Sequence, residues 1–145
     1  LLHAQHPTAA FLDEYPRIRA AYAPLISACK RGNVRAFDAA LQDPALERSL
    51  VRLGVYLAME RARDVCITRL VRRVWRQQGG GTRVRLAPVG TALQWLNCAS
   101  DAHGAEWLVA TQIARGRIKG YIAHERQMMV LSATEPFPHA SLTML

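Results

Sequence analysis

The residues of this chain best suited to metal or nucleophile chemistry are five histidines and three cysteines, and their spacing predicts neither. His3 and His6 stand three apart near the start. With His103, His124 and His139 they are read as unpaired with any cysteine or carboxylate at the spacing of a metal site. Cys29, Cys66 and Cys98 are odd in number, widely spaced and in apolar company. That is the pattern of core thiols in a reducing compartment, not of a disulfide framework. There is no Gly-x-Ser-x-Gly elbow and no dinucleotide fingerprint. Gly79-Gly80-Gly81 lacks the Gly-Lys-Ser/Thr that would make it a phosphate loop, so it reads as a flexible connector. The sequence therefore predicts a protein that is not an enzyme and calls for no cofactor and no metal.

The chemistry that remains is electrostatic. The net charge is +8, and all 19 basic residues except Lys30 and Lys119 are arginine. A basic balance suits a polyanion, either nucleic acid or an acidic protein. An arginine-rich composition with a solvated surface is the plainer alternative. Arg69, Arg72, Arg73 and Arg76 recur at spacings of three and four with no acid among them, which predicts a basic helix stripe that binds a partner. Arg83 and Arg85 alternate with Val84 and Leu86. Arg115, Arg117, Lys119 and Arg126 follow close together. These six are the candidate phosphate-facing residues, because each neutralised phosphate frees condensed counterions. Trp75, Trp95 and Trp107 are expected as core or interface anchors rather than base-stacking platforms.

The elements that must position these residues can be read in order. Pro7-Thr8 starts a short helix through Phe11 and Leu12, which Pro16 interrupts. A helix over Tyr22 to Lys30 carries Pro24 in its first turn and ends at Gly32. Asn33 caps Val34 to Leu41, and Asp43-Pro44 opens the next helix. Leu46, Leu50, Leu53, Val55, Leu57 and Met59 make the stretch to Glu60 apolar on most faces, so it is predicted to lie at the centre of the core. Arg61 to Gln77 is a long amphipathic helix with Cys66, Ile67, Leu70, Val71 and Val74 inward. After the glycines come an edge strand (82–86), a short helix (88–99), and a helix capped by Asp101 that ends at Arg115 before Gly116. The period then turns strand-like, with Ile118, Gly120 and Ile122 on one side and Lys119, Tyr121 and Ala123 on the other. The polar step Glu125-Arg126-Gln127 and the run Met128 to Leu131 complete a hairpin.

Strand, helix, helix, strand, strand is the order of a winged helix. The expected fold is mainly α with a small β part: a helical-repeat layer over 1–78, a winged-helix subdomain over 79–138 and a tail over 139–145. The length suffices for one domain with its own core. No apolar run approaches the roughly 18 residues of a membrane helix, so no membrane partner is expected. Leu1-Leu2 opens no signal peptide, and a chain starting at Leu1 is expected to be a piece of a longer protein.

The pattern Ile113 … Gly116-x-Ile118-Lys119-Gly120-Tyr121-Ile122-x-His124, then Val130-Leu131-Ser132 and Glu135-Pro136-Phe137-Pro138, resembles the end of a PCI domain. Gly32-Asn33-Val34 … Phe37 … Leu41 is similar to that family's turn between two repeat helices. The resemblance covers roughly 22–138. It departs at His103-Gly104, where the family places acids, and at Gln112, where it places an apolar residue. The tail wording is most similar to one branch, the PCI subunit of the nuclear transcription-and-export (TREX) complex and its signalosome-associated paralogue. Taken at the export member, the resemblance implies a scaffold subunit in mRNA export, in the nucleus at the pore, with the cytoplasm left open. Its implied partners are a PCI-like scaffold protein, a small acidic subunit shared with the proteasome lid, and RNA or DNA held by its backbone. The alternative is a signalosome-type PCI scaffold with no nucleic-acid role.

Overall fold

The structure, a computed structural model, describes residues 8–138. His3, His6, His139 and the tail over 139–145 lie outside the described residues. The first helix, α1 (Ala9–Glu14), starts where the Thr8 hydroxyl accepts the Phe11 N–H at 3.3 Å. The second, α2 (Pro16–Arg31), begins at Pro16 and not at Tyr22, because a proline at the first helical position forfeits no hydrogen bond. Pro24 consequently lies inside the helix, where it lacks the N–H that a helix interior normally donates. Gly32 ends α2 at φ +65°, and a Cβ there would lie 2.7 Å from the Leu70 nitrogen. The turn after α2 thus touches a distant helix backbone to backbone, and glycine meets both demands. Asn33 Oδ1 accepts the Ala36 N–H at 3.0 Å and opens α3 (Val34–Leu41). Asp43 Oδ1 accepts from Ala45 and Leu46 at 3.1 and 2.9 Å and opens α4 (Pro44–Arg52).

The stretch from Leu46 to Glu60 is not one central helix. It stops at Arg52, turns through Gly54 at φ +68°, and restarts at Tyr56. Leu46 and Leu50 are buried, but Val51, Leu53 and Leu57 are 59, 65 and 68% exposed. Val51 lies off the Leu46–Leu50 side of α4, and the break leaves Leu53 at the helix end and resets the phase for Leu57. The central element is α5 (Tyr56–Gln77), which buries nine residues, among them Val65, Cys66, Ile67 and Val71. Across it, Arg63 donates to both oxygens of Asp38 on α3 at 2.8 and 3.0 Å. Cys29 and Cys66 are buried free thiols. The hydrogen bond between them, with burial, holds Cys66 above the usual thiol range and therefore protonated.

Past Gly79–Gly81 come β1 (Arg83–Arg85), α6 (Leu86–Trp95), α7 (Ala102–Ala114), β2 (Gly120–Ala123), a 3-10 turn (His124–Arg126) and β3 (Met128–Leu131). The three strands form an antiparallel sheet in the order β1-β3-β2, as in a winged helix. Val84, Met129 and Ile122 pair across it and make its inner row. Asp101 caps α7 by accepting the Gly104 N–H at 2.7 Å. A Cβ on Gly120 would lie 2.2 Å from the Val130 carbonyl oxygen, so that strand position admits only glycine. One contiguous apolar core runs from Leu25 in α2 through α5 to Ile118, Leu131 and Phe137. Trp75 sits at its far side, 5.2 Å from the Phe137 ring, with its indole N–H on the Gly81 carbonyl at 2.8 Å. The fold is mainly helical with a small sheet, as the sequence predicts.

Candidate partner-binding surfaces

In a winged helix that reads DNA, the second helix presents cationic and amide side chains to a groove. Here that helix is α7, and its exposed residues are Ala102, His103, Trp107, Ala110 and Ala114. None carries a permanent charge, and Trp107 is 67% exposed. The face is apolar, with small residues flanking one indole, which is how a protein interface is built.

The six residues expected to face phosphate do not form one free patch. Arg115 turns back and pairs with Asp64 on α5. Lys119 pairs with Glu135 at 2.8 Å. Arg117 is half-buried, and Arg126 is exposed on the 3-10 turn. Arg83 and Arg85 share the outward face of the sheet with Tyr121, through the rows Arg83–Val130–Tyr121 and Arg85–Met128–Ala123. Lys119 alternates onto the same face. That face is therefore apolar along its middle strand, with cations at its margins.

The expected stripe on α5 also divides. Arg69 is buried, and Arg72 is half-buried. Burial first, then the charges of Arg76 and Arg69, push the Arg72 guanidinium below its usual range. Arg73 donates to the Arg31 carbonyl at 2.6 Å, and Arg76 is exposed. All four share one side of α5, so what divides them is position along the helix: Arg69 lies where the turn at Gly32 packs on the α5 backbone, and Arg76 lies in the last turn.

The two ends of the sheet differ. The Ser132 N–H bonds the Lys119 carbonyl at 2.9 Å, so alternation points the backbone groups of Tyr121 and Ala123 at β3 and those of Gly120 and Ile122 outward. No described residue pairs with that outer edge of β2. On β1 the outward groups belong to Arg83 and Arg85. The Gln78 side-chain amide donates to the Arg85 carbonyl at 3.2 Å and accepts the Arg85 N–H at 2.9 Å. It stands in for one residue of a fourth strand and closes that edge at Arg85.

Several surface features escaped the sequence reading. Trp95 is 78% exposed beside α2 and α5, and Val51, Leu53 and Leu57 cluster at the α4–α5 corner. His124 meets the Glu106 carboxylate through Nδ1 at 2.8 and 3.0 Å, and its ring lies 6.3 Å from that of His103. The spacing His103-x-x-Glu106 on one helix turn was the available signal for this cluster. Among the described residues, no three His, Cys, Asp or Glu side chains are grouped to hold a metal ion. No described helix is long and apolar enough to cross a membrane.

No family model matches the chain. Individual proteins do. It is 38% identical to "Protein CSN12 homolog" of Mycosarcoma maydis over 95% of its own length and 33% of that protein's. It is 35% identical to the protein of the same name in Schizosaccharomyces pombe, over 95% and 32%. It is 36% identical to "COP9 signalosome complex subunit 12" of Eremothecium gossypii, over 81% and 30%. The chain thus spans about a third of the length of the curated relatives it matches. These names overturn the export reading, and with it the export scaffold, the small acidic subunit and the nucleic-acid backbone as partners. The uncharged face of α7, and the carboxylates that engage Arg115 and Lys119, are the physical side of that correction. The signalosome-associated branch is the one the comparisons support.

Proposed function

We propose that this chain, homologous to the CSN12 proteins along nearly all its length, is an assembly region of a signalosome subunit that holds neighbouring subunits and does no catalysis. The observation that carries this reading is the outward face of α7, where Trp107 stands exposed among alanines with no permanent charge. Burying an indole at the centre of an interface contributes about 2 kcal/mol or more, the usual measure of a hot spot. The open edge of β2 supports the same reading, because unpaired strand groups accept a strand from another chain. The names of the relatives supply the kind of partner: other signalosome subunits.

The test is co-purification of the tagged full-length protein. Signalosome subunits are expected with the natural protein. They should be lost from Trp107→Glu and reduced for Ile122→Pro, which removes an outward N–H at the sheet edge. Trp107→Glu should keep the natural melting temperature within a few degrees, since Trp107 is exposed, whereas Ile122→Pro also removes a half-buried side chain from the inner row of the sheet and should melt lower. Recovery of the same subunits by a folded Trp107→Glu protein would remove the reading.

A further inference from the structure

A cleft of about 240 Å³ lies between α6 and α7, walled by Ala87, Val89, Gly90, Ala105 and Val109. Four polar residues also line it: Thr91, Gln94, Glu106 and Gln127. In a chain of net charge +8, one carboxylate is recessed here, with its side chain 18% exposed. Among the described residues, Glu106 receives a single donor atom, His124 Nδ1. An ionised carboxylate has about four acceptor sites, so most of its capacity faces a donor that enters the cleft.

The position of that one donor selects the ligand. His124 Nδ1 is nearly equidistant from the two oxygens, at 2.8 and 3.0 Å, so it occupies the place between them. A guanidinium fork needs that same place for its paired hydrogen bonds. What remains on each oxygen is an outer lone pair that takes one donor from the side. An ammonium group suits this, being compact and carrying three separable N–H donors. The cleft can supply the other two acceptors. The Thr91 hydroxyl donates to the Ala87 carbonyl at 3.0 Å and keeps its lone pairs. The Gln127 amide N–H is used on the His124 carbonyl at 2.8 Å, which leaves its amide oxygen. The apolar walls suit a four-carbon stem.

We propose that this cleft receives a lysine side chain from a partner protein, with Glu106 as counter-ion. The proposal does not depend on which assembly the protein joins. The test is a titration of the ¹⁵N-labelled chain with acetyl-Gly-Lys-Gly-amide, followed by NMR. Saturable shifts are expected at the amides of Gly90, Glu106 and Gln127, and none from the Nε-acetylated twin. Glu106→Gln should weaken binding about tenfold or more, the loss of one charge-assisted hydrogen bond. If that variant disturbs the wing, Thr91→Val, an exposed helix position that loses one acceptor, should weaken binding by a smaller factor. Equal binding of the acetylated twin, unchanged binding by the folded variants, tighter binding of acetyl-Gly-Arg-Gly-amide titrated in the same way, or no saturable shift would each overturn the proposal.

Discussion

Gln112 is fully buried, and its amide is the hinge of a small polar network. Its Nε2 donates to Asp64 Oδ1 at 3.1 Å, and its Oε1 accepts the Thr68 hydroxyl at 3.2 Å. The sequence flagged the residue as polar where the resemblance expects an apolar one. It could not supply the reason, because the partners lie 48 and 44 residues upstream on another helix. Gln112→Ala should cost about 2–4 kcal/mol, combining a cavity with lost hydrogen bonds. Gln112→Leu should cost less. It fills the space, the Thr68 hydroxyl proton, shared between Gln112 Oε1 and the Asp64 carbonyl, turns wholly to the carbonyl, and Asp64 keeps Arg115. Urea unfolding of both variants checks the order, and a leucine variant weaker than the alanine variant would contradict this account. The arginines follow the same logic. Their number and spacing were legible, but the packing of the distant Gly32 turn on α5 beside Arg69 was not, which is why Arg69 proved buried.

Helix ends were the most legible elements, since capping is a contact between near neighbours. Asn33, Asp43, Asp101, Gly32 and Gly116 all stand where the sequence places them. The break at Gly54 was hidden, because the apolar run across it mimics a continuous core helix. Invisible too was the use of Gln78 as a strand substitute, which requires the return of β1 past the end of α5. Gln78→Ala should leave the Arg85 backbone unpaired at a sheet edge. We expect a loss of about 1 kcal/mol, faster hydrogen exchange of the Arg85 amide, and greater self-association by light scattering. An Arg85 amide protected as before would show that the edge is closed by something else.

At the scale of the whole molecule, the boundary at Gly79–Gly81 separates two kinds of architecture but not two cores. Across it, α5 packs on α6 and α7, and Trp75 packs on Phe137, so either part alone would bare apolar surface. We therefore expect that proteolytic or genetic separation at Gly80 yields two fragments without cooperative melting, and that mixing them restores it. Two monomeric fragments that each melt cooperatively would refute this. The fold was legible because its signature residues hold it together: Ile118 and Phe137 are buried, and Gly120 leaves no room for a side chain. For the same reason those residues could not separate the export branch from its signalosome-associated paralogue. Two proteins of one fold share its structural motif, and what distinguishes them is carried by surfaces such as the face of α7.

Phe137, near the last described residue, has a consequence for how the protein is made. Synthesis runs from the amino end, so α5 and Trp75 leave the ribosome long before Phe137 does. Until then the indole has no ring to pack on, and Lys119 lacks the Pro136 carbonyl that its backbone N–H bonds at 2.9 Å. A nascent chain that already holds every helix and both wing strands is still an unfinished body with an open apolar side. The core is thus closed by the docking of Pro136 and Phe137, not by completion of its helices.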